Sequence, residues 1–459
     1  MSDPEPTATQ PGKLLSVLGV AFGLAGSVGG TIGAGILRTP GLVAAQLHTP
    51  ALVLLAWLAG GLYLLLGAIC IAELAASLPR AGGWYVYAEQ AFGRRAGWLV
   101  GWTDWLAHCI GLAWVATTVG ELLTDLLPPG LHPTPMAPAI ALTVLAVFGG
   151  IQWLGVKAGG ASQELLSLLK AAAFLGLAGA SFLLPATVPI ELQSDAIPAP
   201  PHDSTLFIGA VLALQAVITT FDGWASPVYF AEEFSEPSRD LPRSLIGGVI
   251  GVLGLYLLIN AALLHVLPIQ TLSNSSLPAA DAARSLLGIR GEQVITAVAL
   301  VSLLGLINTV VMAAPRILFG LSRDGLMPGW LAGVNPGGTP VPALLLTMAS
   351  AAALVLLGSF EHLLGMGAFL YVSLPLAGIA AQLWLRRTQP DLARPFLCWG
   401  YPITPLMIGG ISLTFLTGAL ISDTTDSLLA LALVGVGGIC GELLRKWVQP
   451  VTDLAPQKP

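Results

Sequence analysis

Apolar residues run along this chain in blocks long enough to cross a lipid bilayer, separated by short polar stretches. Twelve such blocks fall at residues 14–37, 51–78, 97–124, 136–155, 161–184, 206–231, 244–267, 293–320, 341–358, 363–385, 403–421 and 427–444. A helix needs about 20 residues to span the hydrocarbon core, and only helices or closed barrels satisfy their backbone polar groups there. The pattern predicts an all-α integral membrane protein with twelve transmembrane helices. The polar stretches leave no room for a folded soluble domain, so residues 1–459 read as a single transmembrane domain.

Two blocks are interrupted. The first contains Gly29-Gly-Thr-Ile-Gly-Ala-Gly35 and the sixth Thr219-Thr-Phe-Asp-Gly-Trp-Ala-Ser-Pro227. Each Gly costs about 1 kcal/mol relative to Ala inside a helix, so both blocks read as broken helices, 1 and 6. They lie five spans apart, and an odd number of spans per repeat turns the second copy upside down: a five-plus-five inverted repeat, residues 14–184 and 206–385, with two additional helices at 403–444. The two breaks would then meet near the midplane. Unpartnered amides at the start of the second half-helix, near Gly33, attract an anion, and the carbonyl ends opposite attract a cation. One carboxylate and one ammonium a few ångströms apart are what an α-amino acid carries. The alternative use of these glycines is close packing between helices.

Composition agrees with a bilayer as solvent: 55% of residues are hydrophobic and 10% charged, where a soluble domain carries roughly 25% charged. Mean hydropathy is +0.81. With the N-terminus inside, fourteen basic residues fall in inner segments and three, Arg38, Arg284 and Arg290, in outer ones, so both termini are expected to be cytoplasmic. The segment before the first block is polar and acidic, which predicts a retained span rather than a cleaved signal. The net charge of −6 comes without a basic cluster of the kind nucleic acid requires. Six dispersed histidines with no ligand spacing argue against a metal, a cofactor or a membrane-embedded catalytic centre. The four cysteines, Cys70, Cys109, Cys398 and Cys440, form no CxxC pair and read as small packing residues.

Lys170 lies about ten residues into the fifth block, where a lysine is disfavoured by about 2.5–3.5 kcal/mol. Such a charge marks function unless it snorkels to an interface. Asp104 and His108, four apart on one helical face, can interact directly, and Tyr256 and Asn260 share a face of the seventh block. Glu73 is a further ionisable residue in an apolar block. The run Glu232, Glu233, Glu236, Arg239, Asp240, Arg243 reads as a charged helix exit pairing with Arg80, Arg94 or Arg95. Of the two long outer loops, 185–204 and 268–291, the second carries an Ala279–Arg284 stretch suited to a short surface helix.

Four motifs resemble a known family in order and spacing. They are Ile32-Gly-Ala-Gly-Ile36 with Arg38-Thr-Pro-Gly41; Pro79-Arg-Ala-Gly-Gly-Trp-Tyr-Val-Tyr87 with Ala91-Phe-Gly93; Phe221-Asp-Gly-Trp224 with Ala231-Glu-Glu233, Pro237 and Leu241-Pro-Arg243; and Arg316 with Leu321-Ser-Arg-Asp-Gly325 and Pro328. Over residues 14–390 the chain is similar to the amino acid-polyamine-organocation superfamily, and to the branch holding bacterial relatives of the L-type amino acid transporters. The resemblance implies a LeuT-like fold and secondary active transport of L-amino acids by alternating access, in a bacterial inner (plasma) membrane. It places the substrate at Thr31, Ile32, Gly33, Ala34, Gly35, Thr219, Phe221, Asp222, Gly223 and Trp224. It assigns Lys170 to the place of a sodium ion, with Tyr256 in support, hence sodium-independent and proton-coupled transport. Thr219 departs from an aromatic gate in relatives. A neutral substrate is expected because Asp222 is the one carboxylate near the pocket; a cationic amino acid or polyamine follows if Asp222 faces it, and amino acid exchange stays open as the alternative to symport. No obligate protein partner is expected, because Cys70 and Cys109 are not in the outer loop where a heavy subunit would be linked.

Overall fold

The computed structural model describes residues 14–33, 35–125, 136–185, 203–357, 360–422 and 424–447. Its helices are α1 (Val20–Thr31), α2 (Gly35–Leu47), α3 (Pro50–Ser77), α4 (Trp84–Phe92), α5 (Arg94–Asp125), α6 (Met136–Trp153), α7 (Val156–Leu183) and α8 (Asp203–Thr220), then α9 (Pro237–Val266), α10 (Ile269–Asn274), α11 (Pro278–Leu287), α12 (Ile289–Arg323), α13 (Val341–Leu357), α14 (Phe360–Thr388), α15 (Ile403–Ser422) and α16 (Thr424–Trp447). Two short 3-10 helices, Ser226–Glu233 and Gly329–Ala332, complete the order. Among the described residues, nine helices are long and apolar enough to cross a membrane. A tenth span results if α1 and α2, bent by 53° at their break, count together; Gly209–Thr220 and Val341–Leu357 are shorter apolar helices.

Burial is inverted relative to a soluble bundle. On α7, Gln163, Ser167, Lys170 and Phe174 are buried while Leu165, Leu168, Leu169 and Leu175 are exposed. Spacings of three and four put the polar set on one face, and that face turns inward against α1 and α12. Gln163 Nε2 and Ser167 Oγ donate to the Ala25 carbonyl at 3.2 and 2.7 Å. Asn308 of α12 donates to Gln163 Oε1 at 2.8 Å. Polar side chains thus join three helices where apolar contact with lipid offers no driving force.

Both interruptions are real breaks, each with its own form. The first separates α1 from α2 between Thr31 and Gly35, so Gly29 and Gly30 lie within α1 rather than in the joint. The second ends α8 at Thr220, turns through Gly223 at φ +93°, and continues as a 3-10 helix rather than an α-helix. The stretch before α1 and the stretch after the 3-10 helix pair in parallel. Leu18 N–H donates to the Glu233 carbonyl at 2.8 Å, and Ser235 N–H to the Leu18 carbonyl at 2.9 Å.

The segment expected as a short surface helix is helical as α11, but Ala279, Ala282 and Ala283 are buried against α2 and α12. Its small residues are a packing face. Most of the other long loop, residues 186–202, lies outside the described residues.

Candidate functional site

The two breaks abut. A Cβ on Gly30 would come within 2.7 Å of the Gly223 carbonyl oxygen, and one on Gly223 would strike the Gly30 carbonyl. Gly29 faces α7 with no more room: a side chain there would collide with Gln163 and Ser167. These glycines bring backbone against backbone, and Gly33 and Gly35 are left to shape the joint itself.

Beside the breaks lies a cavity of about 640 Å³. Gly30, Thr31, Gly33 and Gly35 line it from the first break, and Thr219, Asp222, Gly223 and Trp224 from the second. His108, Trp114 and Tyr371 contribute from α5 and α14. Ala34 lies outside the described residues. Ile32 and Phe221 belong to the sequence-derived set but are fully buried and stand behind the lining. Phe221 packs on Trp57 and Tyr256, with ring centroids 6.0 and 4.7 Å away. Apolar side chains either side of a break have to cover its exposed backbone, and these two turn to that task.

The first break is held by side chains from elsewhere. Lys170 is fully buried and its Nζ donates to the carbonyls of Gly29 and Ile32 at 2.8 and 2.9 Å. Its stem crosses to α12, where a Cβ on Gly305 would fall 2.5 Å from Lys170 Cε. Burial this deep excludes the snorkelling reading. Tyr256 Oη lies 3.0 Å from the Thr31 carbonyl and 3.3 Å from that of Thr220, so its one hydroxyl spans both breaks. Asn260 turns back to the Tyr256 carbonyl of its own helix, at 2.8 Å, rather than toward Lys170. α2 begins at Gly35, which lines the cavity, and a helix leaves its opening N–H groups without intrahelical partners.

The i, i+4 pair on α5 meets as its spacing suggests. His108 Nδ1 lies 2.8 Å from the Asp104 carbonyl and 3.1 Å from its carboxylate. Tyr229 Oη donates to Asp104 Oδ1 at 2.9 Å and accepts from Trp84 Nε1 at 2.9 Å. His108 thereby presents its ring to the cavity on a buried polar base. Gln163, Ser167 and Asn308 were not singled out from the sequence. Polar residues recurring on one face of an apolar block were the available signal.

Beyond Trp84 and Tyr229 of the cavity wall, charge pairs gather at one end of the bundle. Arg316 of α12 forms a bidentate pair with Glu233, one arm at 2.8 Å, with both groups buried and the guanidinium 4.6 Å over the Phe230 ring. Glu232 pairs with Arg323, and Arg80 with Asp324, which also accepts from Tyr85 Oη at 2.9 Å. The expected partners of the Glu232–Glu233 run, Arg80, Arg94 and Arg95, are engaged with Asp324, the Gly325 carbonyl and Glu442 instead. The C-terminal end of α12 brings Arg316 and Arg323 to those acids and takes them. Among the described residues, no group of three or more potential ligands could hold a metal ion.

Comparison with known proteins places this architecture. The serine/threonine exchanger SteT of Bacillus subtilis is 28% identical over 444 residues, covering 94% of this chain and 97% of that protein. The methylthioribose transporter of the same organism is 28% identical, covering 85% of each chain. The human large neutral amino acids transporter small subunit 2 is also 28% identical, covering 90% of this chain and 78% of its own. The amino acid permease family model matches residues 13–439. The chain therefore belongs to the amino acid permease family of the amino acid-polyamine-organocation superfamily, and is a multi-pass membrane transporter rather than an enzyme.

Proposed function

We propose that this permease carries L-amino acids, neutral ones first, by alternating access through a twelve-span bundle with a five-plus-five inverted repeat. The carrying observation is that two helix breaks abut beside one cavity and offer it opposite polarities. The substrate carboxylate binds the amino end of α2, from Gly33 through Ala34 to Gly35, where amides and helix dipole favour an anion. Its ammonium binds the carbonyl ends of α1 and α8; a carbonyl that already accepts from Tyr256 retains a second lone pair. Trp224 and Thr219 bound the side chain. A threonine at the gate position leaves room for a bulky one.

Lys170 serves in place of a sodium ion. It holds the Gly29 and Ile32 carbonyls when protonated and loosens them when it gives up the proton, which couples the first break to a proton gradient. The positive-inside charge bias supports cytoplasmic termini and an inner end at the Arg316–Glu233 closure, in a bacterial inner membrane. The cavity is then open outward and shut inward.

Two other readings have specific support. The exchanger named among the relatives favours antiport. The position of Asp222 on the cavity wall favours a cationic amino acid or polyamine. Uptake of radiolabelled alanine, serine, leucine, arginine and putrescine into proteoliposomes, with and without a pH gradient and with and without internal amino acid, separates them. Saturable uptake of a neutral amino acid that rises with the gradient is expected. Preference for arginine or putrescine would replace the neutral assignment, and flux that needs internal substrate but no gradient would replace symport.

A further inference from the structure

A second polar cluster lies away from the two breaks, where α3, α14 and the segment leading into α15 meet. Glu73 of α3 accepts both arms of Arg386 at 2.7 Å, and its Oε2 also accepts the backbone N–H of Cys398 at 2.7 Å. Arg394 approaches Glu73 at 3.6 Å and folds its own segment by donating to the carbonyls of Leu385, Gln389, Pro390 and Leu392. These bonds set Cys398 over α3, with its Sγ 3.5 Å from that of Cys70, which lies one helical turn before Glu73. Both thiols are free and buried. Cys398 is nonetheless only one residue beneath the surface, because Leu397 and Trp399 on either side are more than half exposed.

We propose that Cys70 and Cys398 are a reversible oxidation site whose disulfide clamps α3 to the segment entering α15. The oxidant is hydrogen peroxide. The Cys398 thiolate attacks a peroxide oxygen, the O–O bond breaks, and the leaving hydroxide takes up a proton as water, which gives a sulfenic acid at Cys398. The Cys70 sulfur then attacks that sulfur and expels hydroxide, which leaves as water with the Cys70 proton. Two thiols and one peroxide become one disulfide and two waters. The hydrogen bond from the Cys70 thiol draws Cys398 below the ordinary thiol value, which suits it to attack first. Cys109 and Cys440 have no such neighbour: Cys109 is buried in α5 and Cys440 lies far along α16.

The clamp bears on transport because the same junction makes one wall of the cavity. Cys70 and Cys398 share an apolar cluster with Ile379 and Ile408, both of which line the cavity, and Gly67 and Ile71 flank Cys70 on the lining. A covalent link there ties α3 to the segment entering α15 beside that wall. Any step that slides one past the other is slowed.

The test needs no transported substrate, so it fails or succeeds independently of the proposed function. Full-length protein in detergent is titrated with hydrogen peroxide, then mapped by peptide mass with the remaining thiols alkylated. The expected result is loss of two of the four thiols, a single cross-linked pair joining the peptides of Cys70 and Cys398, and full return with dithiothreitol. Hydrogen exchange in 391–402 slows on oxidation in wild type by about fivefold, as expected when a local opening is tied shut. Cys70→Ser and Cys398→Ser each abolish both effects, and Cys109→Ala with Cys440→Ala keeps them. Thermal unfolding checks that each variant folds, with Cys70→Ala and Cys398→Ala as alternates. A cross-link between other cysteines, overoxidation of Cys398 without a link, or a link with unchanged exchange would overturn the proposal.

Discussion

The two helix breaks solve one problem in opposite ways. At the first, between α1 and α2, the freed carbonyls of Gly29, Thr31 and Ile32 are taken up by Lys170 and Tyr256, residues of α7 and α9. At the second, the backbone mostly satisfies itself. Phe221, Asp222 and Ser226 donate to carbonyls three or four residues back, and Ser226 Oγ closes on the Gly223 carbonyl at 2.6 Å. Unpaired buried backbone groups cost about 1–3 kcal/mol each, so neither break could persist without such partners. The first is therefore controlled from a distance and the second by its own turn.

That contrast orders the expected effects of substitution. Lys170→Ala removes the donor from two buried carbonyls at once, and amino acid uptake into proteoliposomes should fall to background while folded protein can still be purified. Wild-type uptake in that variant would show that the first break holds without its remote partner. Gly223→Ala attacks the second break through local geometry: positive φ and a Cβ aimed at the Gly30 carbonyl. It should cost on the order of 2 kcal/mol in thermal unfolding, and a neutral result would mean that the turn is not self-determined. Tyr256→Phe deletes the hydroxyl that touches both breaks and should cost about 1 kcal/mol, with a partial loss of uptake. Thr219→Val loses only a bond back to Gln215 of the same helix, and should change stability by less than about 0.5 kcal/mol. Thr219→Phe, by contrast, narrows the cavity and should reduce uptake of leucine more than of alanine.

How much of this was readable beforehand depends on whether the partners sit close in sequence. The Asp104–His108 pair follows from helical spacing, and the charge at Lys170 stands out from the apolar block around it. The family resemblance implies contact with the first and eighth spans, but the particular acceptors, the Gly29 and Ile32 carbonyls, depend on how α7 lies against α1. Glycine is ambiguous by nature, serving equally for a bend and for close approach. Gly29 and Gly30 sit inside a continuous helix to let neighbours in, while Gly33 and Gly35 border the actual joint. The charged exit at Glu232 and Glu233 was recognisable, yet its partners are Arg323 and Arg316, because α12 delivers them to that spot. Cys70 and Cys398 show the limit most plainly: 328 positions separate two sulfurs that nearly touch.

The short parallel rung between Leu18 and Phe234 gives α1 and the Ser226–Glu233 helix a common yoke. Ser16 Oγ adds a further strut to the Phe234 carbonyl at 2.8 Å. Two rods pinned at one end do not tilt separately, so under the proposed function a cargo that grips either break pulls on both. The carrier then registers occupancy as a single event. Discrimination among cargoes must be settled while they bind, because a rigid yoke moves in the same way whichever part of the cargo holds it.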